Sequence, residues 1–203
     1  MKVLGLTGPS GSGKTLAAAI FLKYGIPTID ADDVYHQILA RGDACTKELA
    51  ENFGKQILDE NGLVSRAALA DTVFGKPQTP QLLHTLNTIT HKYVMSDIKN
   101  LLANYAANGT PAVVLDAPLL FEANADTLCD VTVALLAPYS KRLARIIERD
   151  GISETAAAKR LAAGKSDTFY RTRCQYVLNN DDDLEGLTEN IKDLLIKMGV
   201  GVH

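Results

Sequence analysis

Eight consecutive residues, Gly8-Pro9-Ser10-Gly11-Ser12-Gly13-Lys14-Thr15, constrain this chain more than any other feature. They fit the pattern G-x-x-x-x-G-K-[ST], and they lie between a strand-like apolar run, Val3-Leu4-Gly5-Leu6, and a helix-like stretch starting near Leu16. A loop that leaves a strand and opens a helix turns several backbone N–H groups toward one point. It also adds the positive end of the helix dipole, and together these can wrap a polyphosphate. Glycine suits positions 8, 11 and 13 because a side chain would block the close approach, or the positive φ, that such a loop requires. Lys14 is placed to reach the β- and γ-phosphates of a nucleotide, and the Thr15 hydroxyl to ligate Mg²⁺. The flanking strand and helix argue against a plain Gly/Ser surface turn.

The rest of the chain fits a single folded unit built around that loop. With 203 residues it can bury a full core with an insertion, but it is short for two independent domains. A hydrophobic content of 46% argues against disorder, and a net charge of -3 gives no reason to expect a nucleic acid or an anionic membrane as partner. Between Lys141 and Arg173, however, nine basic residues stand against four acidic ones, a local excess suited to a small anionic ligand. Cys45, Cys129 and Cys174 are odd in number and far apart, so neither a disulfide framework nor a zinc site is indicated, and a cytoplasmic location is expected. No signal-peptide pattern opens the sequence, and no apolar stretch approaches the length of a membrane span. The oligomeric state is left open, with a monomer sufficient.

Strand-like runs at Val3 to Thr7, Pro27 to Ile29, Ala112 to Leu115, Val131 to Leu136 and Tyr176 to Leu178 alternate with helical periodicity, which predicts a parallel sheet with crossover helices. Leu16 to Tyr24 reads as the first crossover helix, stopped by Gly25. The last helix is expected to bury Leu184, Leu187, Ile191, Leu194, Leu195 and Met198 and to fray at Gly199 and Gly201. From about Val34 to Asn108 there are helical segments and no convincing strand, with Ser65 placed as one helix cap and Pro80 in the first turn of another. This reads as a helical insertion between strands, either a second substrate pocket or a structural cap.

Four places could carry chemistry besides the loop. Asp30-Ala31-Asp32-Asp33 follows the second strand, at the carboxyl edge where open α/β sheets place ligands. Asp32 is favoured there as the carboxylate that orients an acceptor hydroxyl and takes its proton, and Asp33 as the helix N-cap. Asp116 ends the apolar run from Ala112, where an acid either supports a Mg²⁺ shell or caps a turn. The sequence after it has no D-x-x-G, and N-K-x-D is missing too, which disfavours a GTPase switch. Arg142, Arg145 and Arg149 share one helix face, either a solvated surface neutralised by Glu148 and Asp150 or, with Gly151 and a second helix from Ser153, a lid closing over phosphates, the reading favoured here. His36, His84 and His91 lack metal-ligand spacing.

Taken in order, Gly5-Leu6-Thr7-Gly8 through Lys14-Thr15, Asp30-Ala31-Asp32, Leu86-Asn87-Thr88-Ile89 ahead of His91, Asp116-Ala117-Pro118-Leu119-Leu120-Phe121-Glu122, Arg145 with Arg149-Asp150, and Tyr176-Val177-Leu178-Asn179-Asn180 resemble the dephospho-coenzyme A kinase family over nearly the whole chain. The resemblance implies an α/β fold of the nucleotide-kinase-like P-loop NTPase type. That is a three-layer parallel sheet over residues 1–33, 110–140 and 174–203, a helical coenzyme A-binding insertion over 34–109 and a small helical lid over 141–173. It implies transfer of the γ-phosphoryl of ATP, with Mg²⁺, to the ribose 3′-hydroxyl of dephospho-coenzyme A. Catalysis would rest on Asp32, Lys14 and Arg149. ATP would be held by Gly8, Ser10, Gly11, Ser12, Gly13, Lys14, Thr15, Arg145 and Asn180, the acceptor by Asp32, His91 and Asp116, and the metal by Thr15. The chain departs from the family pattern at Pro9-Ser10, Lys92, Gly164-Lys165, Cys174-Gln175 and Asp182. Alternative readings are another small-molecule kinase of this fold, such as a shikimate or nucleoside kinase, or an ATP-dependent switch that transfers no phosphate.

Overall fold

Parallel strands cannot be joined by tight turns, so each pair needs a crossover long enough to hold a helix. The computed structural model, which describes residues 1–75, 77–181 and 183–201, follows that rule. Strands β1 (Lys2–Thr7), β2 (Thr28–Asp30), β3 (Ala112–Asp116), β4 (Val131–Leu136) and β5 (Tyr176–Asn179) form one sheet in the order β2-β3-β1-β4-β5. β1 pairs in parallel with β3, from Lys2 opposite Ala112 to Leu6 opposite Asp116, and on its other side with β4, from Leu4 opposite Val131 to Thr7 opposite Ala134. The chain goes to one side of β1 for β2 and β3 and to the other for β4 and β5. The carboxyl end of β1 is therefore at the reversal of strand order, where sheets of this class bind ligands.

The chain divides into two compact units, one of residues 1–29 with 103 onward and one of residues 30–102. In the first, Leu4, Leu6, Val114, Val133 and Leu135 pack on one sheet face with Ala17, Ile20 and Phe21 of helix α1 (Lys14–Lys23). Leu187, Ile191, Leu194 and Leu195 of the C-terminal helix Leu184–Lys197 complete that cluster. Complete burial of a ring such as Phe21 contributes about 1.5–3 kcal/mol. The other face carries Ala134 and Leu136 against Tyr170, so both sides of the sheet are covered and its strands read as nearly continuous apolar runs.

Helix α1 stops where Gly25, at φ 72°, lets its N–H reach Leu22 O and the Ile26 N–H reach Phe21 O, while Ile26 joins the same core as Phe21. The last helix closes in the same way. Gly199 bonds Ile196 O and Val200 bonds Leu195 O, with Val200 buried, so the expected fraying at Gly199 is replaced by a capped end. Leu184, expected on the buried face, is 48% exposed, because it opens the first turn instead of lying over the sheet.

The second unit holds α2 (Ala31–Ala40), α3 (Ala44–Phe53), α4 (Arg66–Val73) and most of α5 (Thr79–Ala107), and among the described residues its only extended pairing is a bridge between Leu58 and Val64. Ser65 caps α4 through Ala68 N–H, and Pro80 lies in the first turn of α5. Within this unit Glu48 of α3 accepts from both Lys92 Nζ and Tyr93 Oη of α5 at 2.7 Å. These two bonds, that from Lys92 first, hold the Glu48 carboxyl below its ordinary range. Lys92, one of the departures from the family pattern, therefore ties two helices together.

Candidate active site

The phosphate loop takes its shape from three glycines that no other residue can replace without strain. Gly8, Gly11 and Gly13 have φ of 147°, 76° and 101°. A Cβ on Gly8 would stand 2.2 Å from Leu135 O at the end of β4, and one on Gly11 2.7 Å from Arg142 O, so the loop lies against backbone on both flanks. Ser12 N–H closes the turn on Pro9 O at 3.2 Å, and the Ser12 hydroxyl is buried with no hydrogen-bond partner. A cradle that side chains would fill, with a buried hydroxyl left without a hydrogen-bond partner, fits an anionic ligand.

Helix α1 starts at Lys14, earlier than its apolar pattern suggests, because Gly13 acts as a left-handed N-cap and Ala17 N–H already bonds Gly13 O. Lys14 and Thr15 consequently occupy the first turn, where the helix dipole is positive. Lys14 Nζ donates back across the loop to Gly8 O at 3.3 Å. Asp116, 7% exposed, is the last residue of β3 and stands level with Leu6, and the neighbouring Ala117 N–H bonds Leu6 O. Its place is beside the root of the loop.

The three arginines of helix α6 (Tyr139–Asp150) share a face but have different partners. Arg142 is 12% exposed and meets Asp167 at 3.3 Å. Arg145 Nη1 donates to Gly11 O at 3.1 Å and to Ser12 O at 3.2 Å. Arg149, 60% exposed, makes a two-pronged pair with Asp150 at 2.8 and 3.0 Å. Asp150, which also accepts from Arg160, is held below the usual carboxylate range, chiefly by its hydrogen bond from Arg149. Beyond Gly151, helix α7 (Glu154–Ala162) is capped by the Ser153 hydroxyl, and α8 (Asp167–Arg173) follows.

Asn180 donates from Nδ2 to Ser12 O at 2.8 Å. Gly8, Ser10 to Thr15, Arg145, Asn180 and Asp116 thus assemble within one unit. Arg149 lies in the same unit but on its own carboxylate partner. Asp32 and His91 belong to the second unit, in the first turn of α2 and within α5. The cap of α2 is not Asp33 as expected but Asp30, whose carboxylate accepts from Asp32 N–H at 2.8 Å and Asp33 N–H at 3.3 Å. Asp30 alone has the extended backbone that an N-cap requires, whereas Asp33 is already inside the helix. Sequence reading also missed the contacts of Arg145 and Asn180 with the loop carbonyls; partners 134 and 168 residues apart leave no local signal. Cysteine chemistry has no support: burial pushes Cys45 and Cys174 up to about 11 and Cys129 up to about 12, so all three remain thiols at neutral pH.

A doubly wound parallel sheet whose first strand opens into a glycine-lined cradle, with a lysine and a hydroxyl on the following helical turn, defines a P-loop phosphotransferase of the nucleotide-kinase type. The profile of the dephospho-CoA kinase family matches residues 2–186. A dephospho-CoA kinase of Latilactobacillus sakei is 36% identical over 192 residues, covering 95% of this chain and 93% of the relative. A Thermus thermophilus crystal structure at 30% identity superposes with a TM-score of 0.79, covering 97% of each chain. A dephospho-CoA kinase from Campylobacter jejuni, at 21% identity and 98% coverage of both chains, shares the fold with a TM-score of 0.71. The chain belongs to the dephospho-CoA kinase family and is an ATP-dependent phosphotransferase. Among the described residues, no helix is long and apolar enough to cross a membrane.

Proposed function

We propose that this protein transfers the γ-phosphoryl of ATP to the ribose 3′-hydroxyl of dephospho-coenzyme A, giving coenzyme A and ADP. The observation that carries the reading is the cradle itself, Gly8 to Thr15, in a chain whose family membership spans residues 2–186. In the reaction the hydroxyl oxygen forms a bond to the γ-phosphorus, the bond to the bridging β–γ oxygen breaks, and the hydroxyl proton passes to Asp32. The transition state is loose, so what the protein must supply is alignment and countercharge.

We assign Gly8 and Ser10 to Thr15 to the triphosphate, Lys14 to the β- and γ-phosphates, and Arg149 to charge on the transferring group, reached by exchanging Asp150 for phosphate oxygens. Among the described residues no group of three His, Cys, Asp or Glu side chains forms a metal cage. Mg²⁺, which binds through few protein ligands plus substrate phosphates, would be held by the Thr15 hydroxyl and would neutralise phosphate charge. We assign Asp32, His91 and Asp116 to the acceptor, the helical segment 34–109 to the pantetheine arm, and residues 141–173 to the lid. The three free cysteines suit a reducing cytoplasm.

An acceptor panel with ADP release as readout tests the assignment. Dephospho-coenzyme A gives acceptor-dependent turnover and a product with the mass of coenzyme A. Phosphorylation of only shikimate or a free nucleoside, or ATP binding without acceptor-dependent turnover, overturns it.

A further inference from the structure

Two side chains from distant parts of the chain hold the back of the phosphate loop. Arg145 bonds the carbonyls of Gly11 and Ser12, and Asn180 bonds the same Ser12 carbonyl. Asn180 is itself fixed, since it is 2% exposed and its backbone N–H bonds Leu136 O at 2.7 Å. Lys141 Nζ donates to the carbonyl of Asp181, which ties α6 to the segment carrying Asn180. The packing is tight at Gly13: a Cβ there would lie 2.3 Å from Asn180 Nδ2 and 3.5 Å from Arg145 Nη1.

A trans peptide is planar, and its C=O and N–H point in opposite directions. Fixing the Ser12 carbonyl toward Arg145 and Asn180 therefore aims the Gly13 N–H to the opposite side. Fixing the Gly11 carbonyl aims the Ser12 N–H likewise, into the turn it closes on Pro9. Two donors converging on one carbonyl, one of them cationic, hold that peptide plane more firmly than the glycine-rich loop could alone.

We infer that Arg145 and Asn180 are positioning residues, which set the phosphate loop's peptide planes from behind and so pre-orient its N–H groups, rather than contacting the nucleotide. The inference rests on the reading that this loop holds the triphosphate of ATP. Because Arg145 belongs to α6, the same contact couples that helix to the loop.

The test compares Arg145→Met, Arg145→Lys and Asn180→Asp with the unaltered protein by calorimetry, using Mg·ATP and inorganic tripolyphosphate, together with amide resonances and hydrogen exchange of Ser12 and Gly13 in the ligand-free state. Arg145→Met and Asn180→Asp weaken both ligands in parallel, by about tenfold each. Both also shift the Ser12 and Gly13 amides and speed their exchange before any ligand is added. Arg145→Lys, which keeps a cationic donor, recovers part of the loss. A deficit confined to ATP marks an adenine contact, and unchanged ligand-free amides mark a direct phosphate contact; either result overturns the inference while leaving the kinase reading in place. Should Asn180→Asp not fold, the half-buried Arg145 carries the same comparison. Failure of the unaltered protein to bind either ligand removes the kinase reading, and the inference with it.

Discussion

Asp32→Asn lowers turnover about 10²- to 10⁴-fold while ATP binding stays largely intact, the range for loss of a general base. The side chains are nearly isosteric, and the amide still fits the first turn of α2, where Asp30 continues to hold the backbone N–H groups of residues 32 and 33. In the proposed reaction, what the substitution removes is the oxygen assigned to collect the acceptor's proton and the charge assigned to orient its hydroxyl. Single-turnover measurements with saturating ATP separate this from a binding defect, since KM for ATP is unchanged while the chemical step slows. Asp33→Asn, one position further into the same turn, serves as the control and leaves turnover close to that of the unaltered protein. Near-normal turnover in Asp32→Asn would take the proton-accepting role away from that carboxylate.

Lys14→Met lowers kcat about 10²- to 10³-fold, the loss typical of removing one donor to charge that develops in the transition state. Lys14 stands in the first turn of α1 and reaches back to Gly8 O, so its ammonium spans the loop between the two ends of the cradle. Methionine keeps much of the apolar stem and removes the charge. ATP is also expected to bind more weakly, because the same ammonium would meet the ground-state phosphates, so KM for ATP rises and kcat/KM falls further than kcat, whereas in Asp32→Asn the two fall together. A variant whose kcat/KM stays within a few-fold of normal would contradict the assignment of Lys14.

The contrast between these residues follows what a linear sequence can carry. The strands were legible to within about one residue because each is a short apolar run between glycine, proline or polar breaks. The phosphate loop was legible because its whole geometry is local, with three positive-φ glycines and a helix start inside eight residues. Capping was only partly legible. In Asp30-Ala31-Asp32-Asp33 three carboxylates compete for one role, and the strand's extended backbone at Asp30 decides it. The Gly199 closure was misread because its partner, the buried Val200, announces itself only through packing. The bonds of Arg145 and Asn180 to the loop were illegible in detail, since they depend on where α6 and the end of β5 fall in the folded sheet. On the acceptor side, Asp32 was legible from its place after the second strand, whereas the acceptor roles of His91 and Asp116 rest on family resemblance, which names residues without supplying a geometry.

A crystal structure with a non-hydrolysable ATP analogue and dephospho-coenzyme A tests the central claim most directly. The account predicts the γ-phosphate seated on the backbone amides between Ser10 and Thr15, the ribose 3′-hydroxyl in line with it, and an Asp32 carboxylate oxygen within about 2.6–3.2 Å of that hydroxyl. An Asp32 side chain turned to solvent with both ligands in place would contradict it.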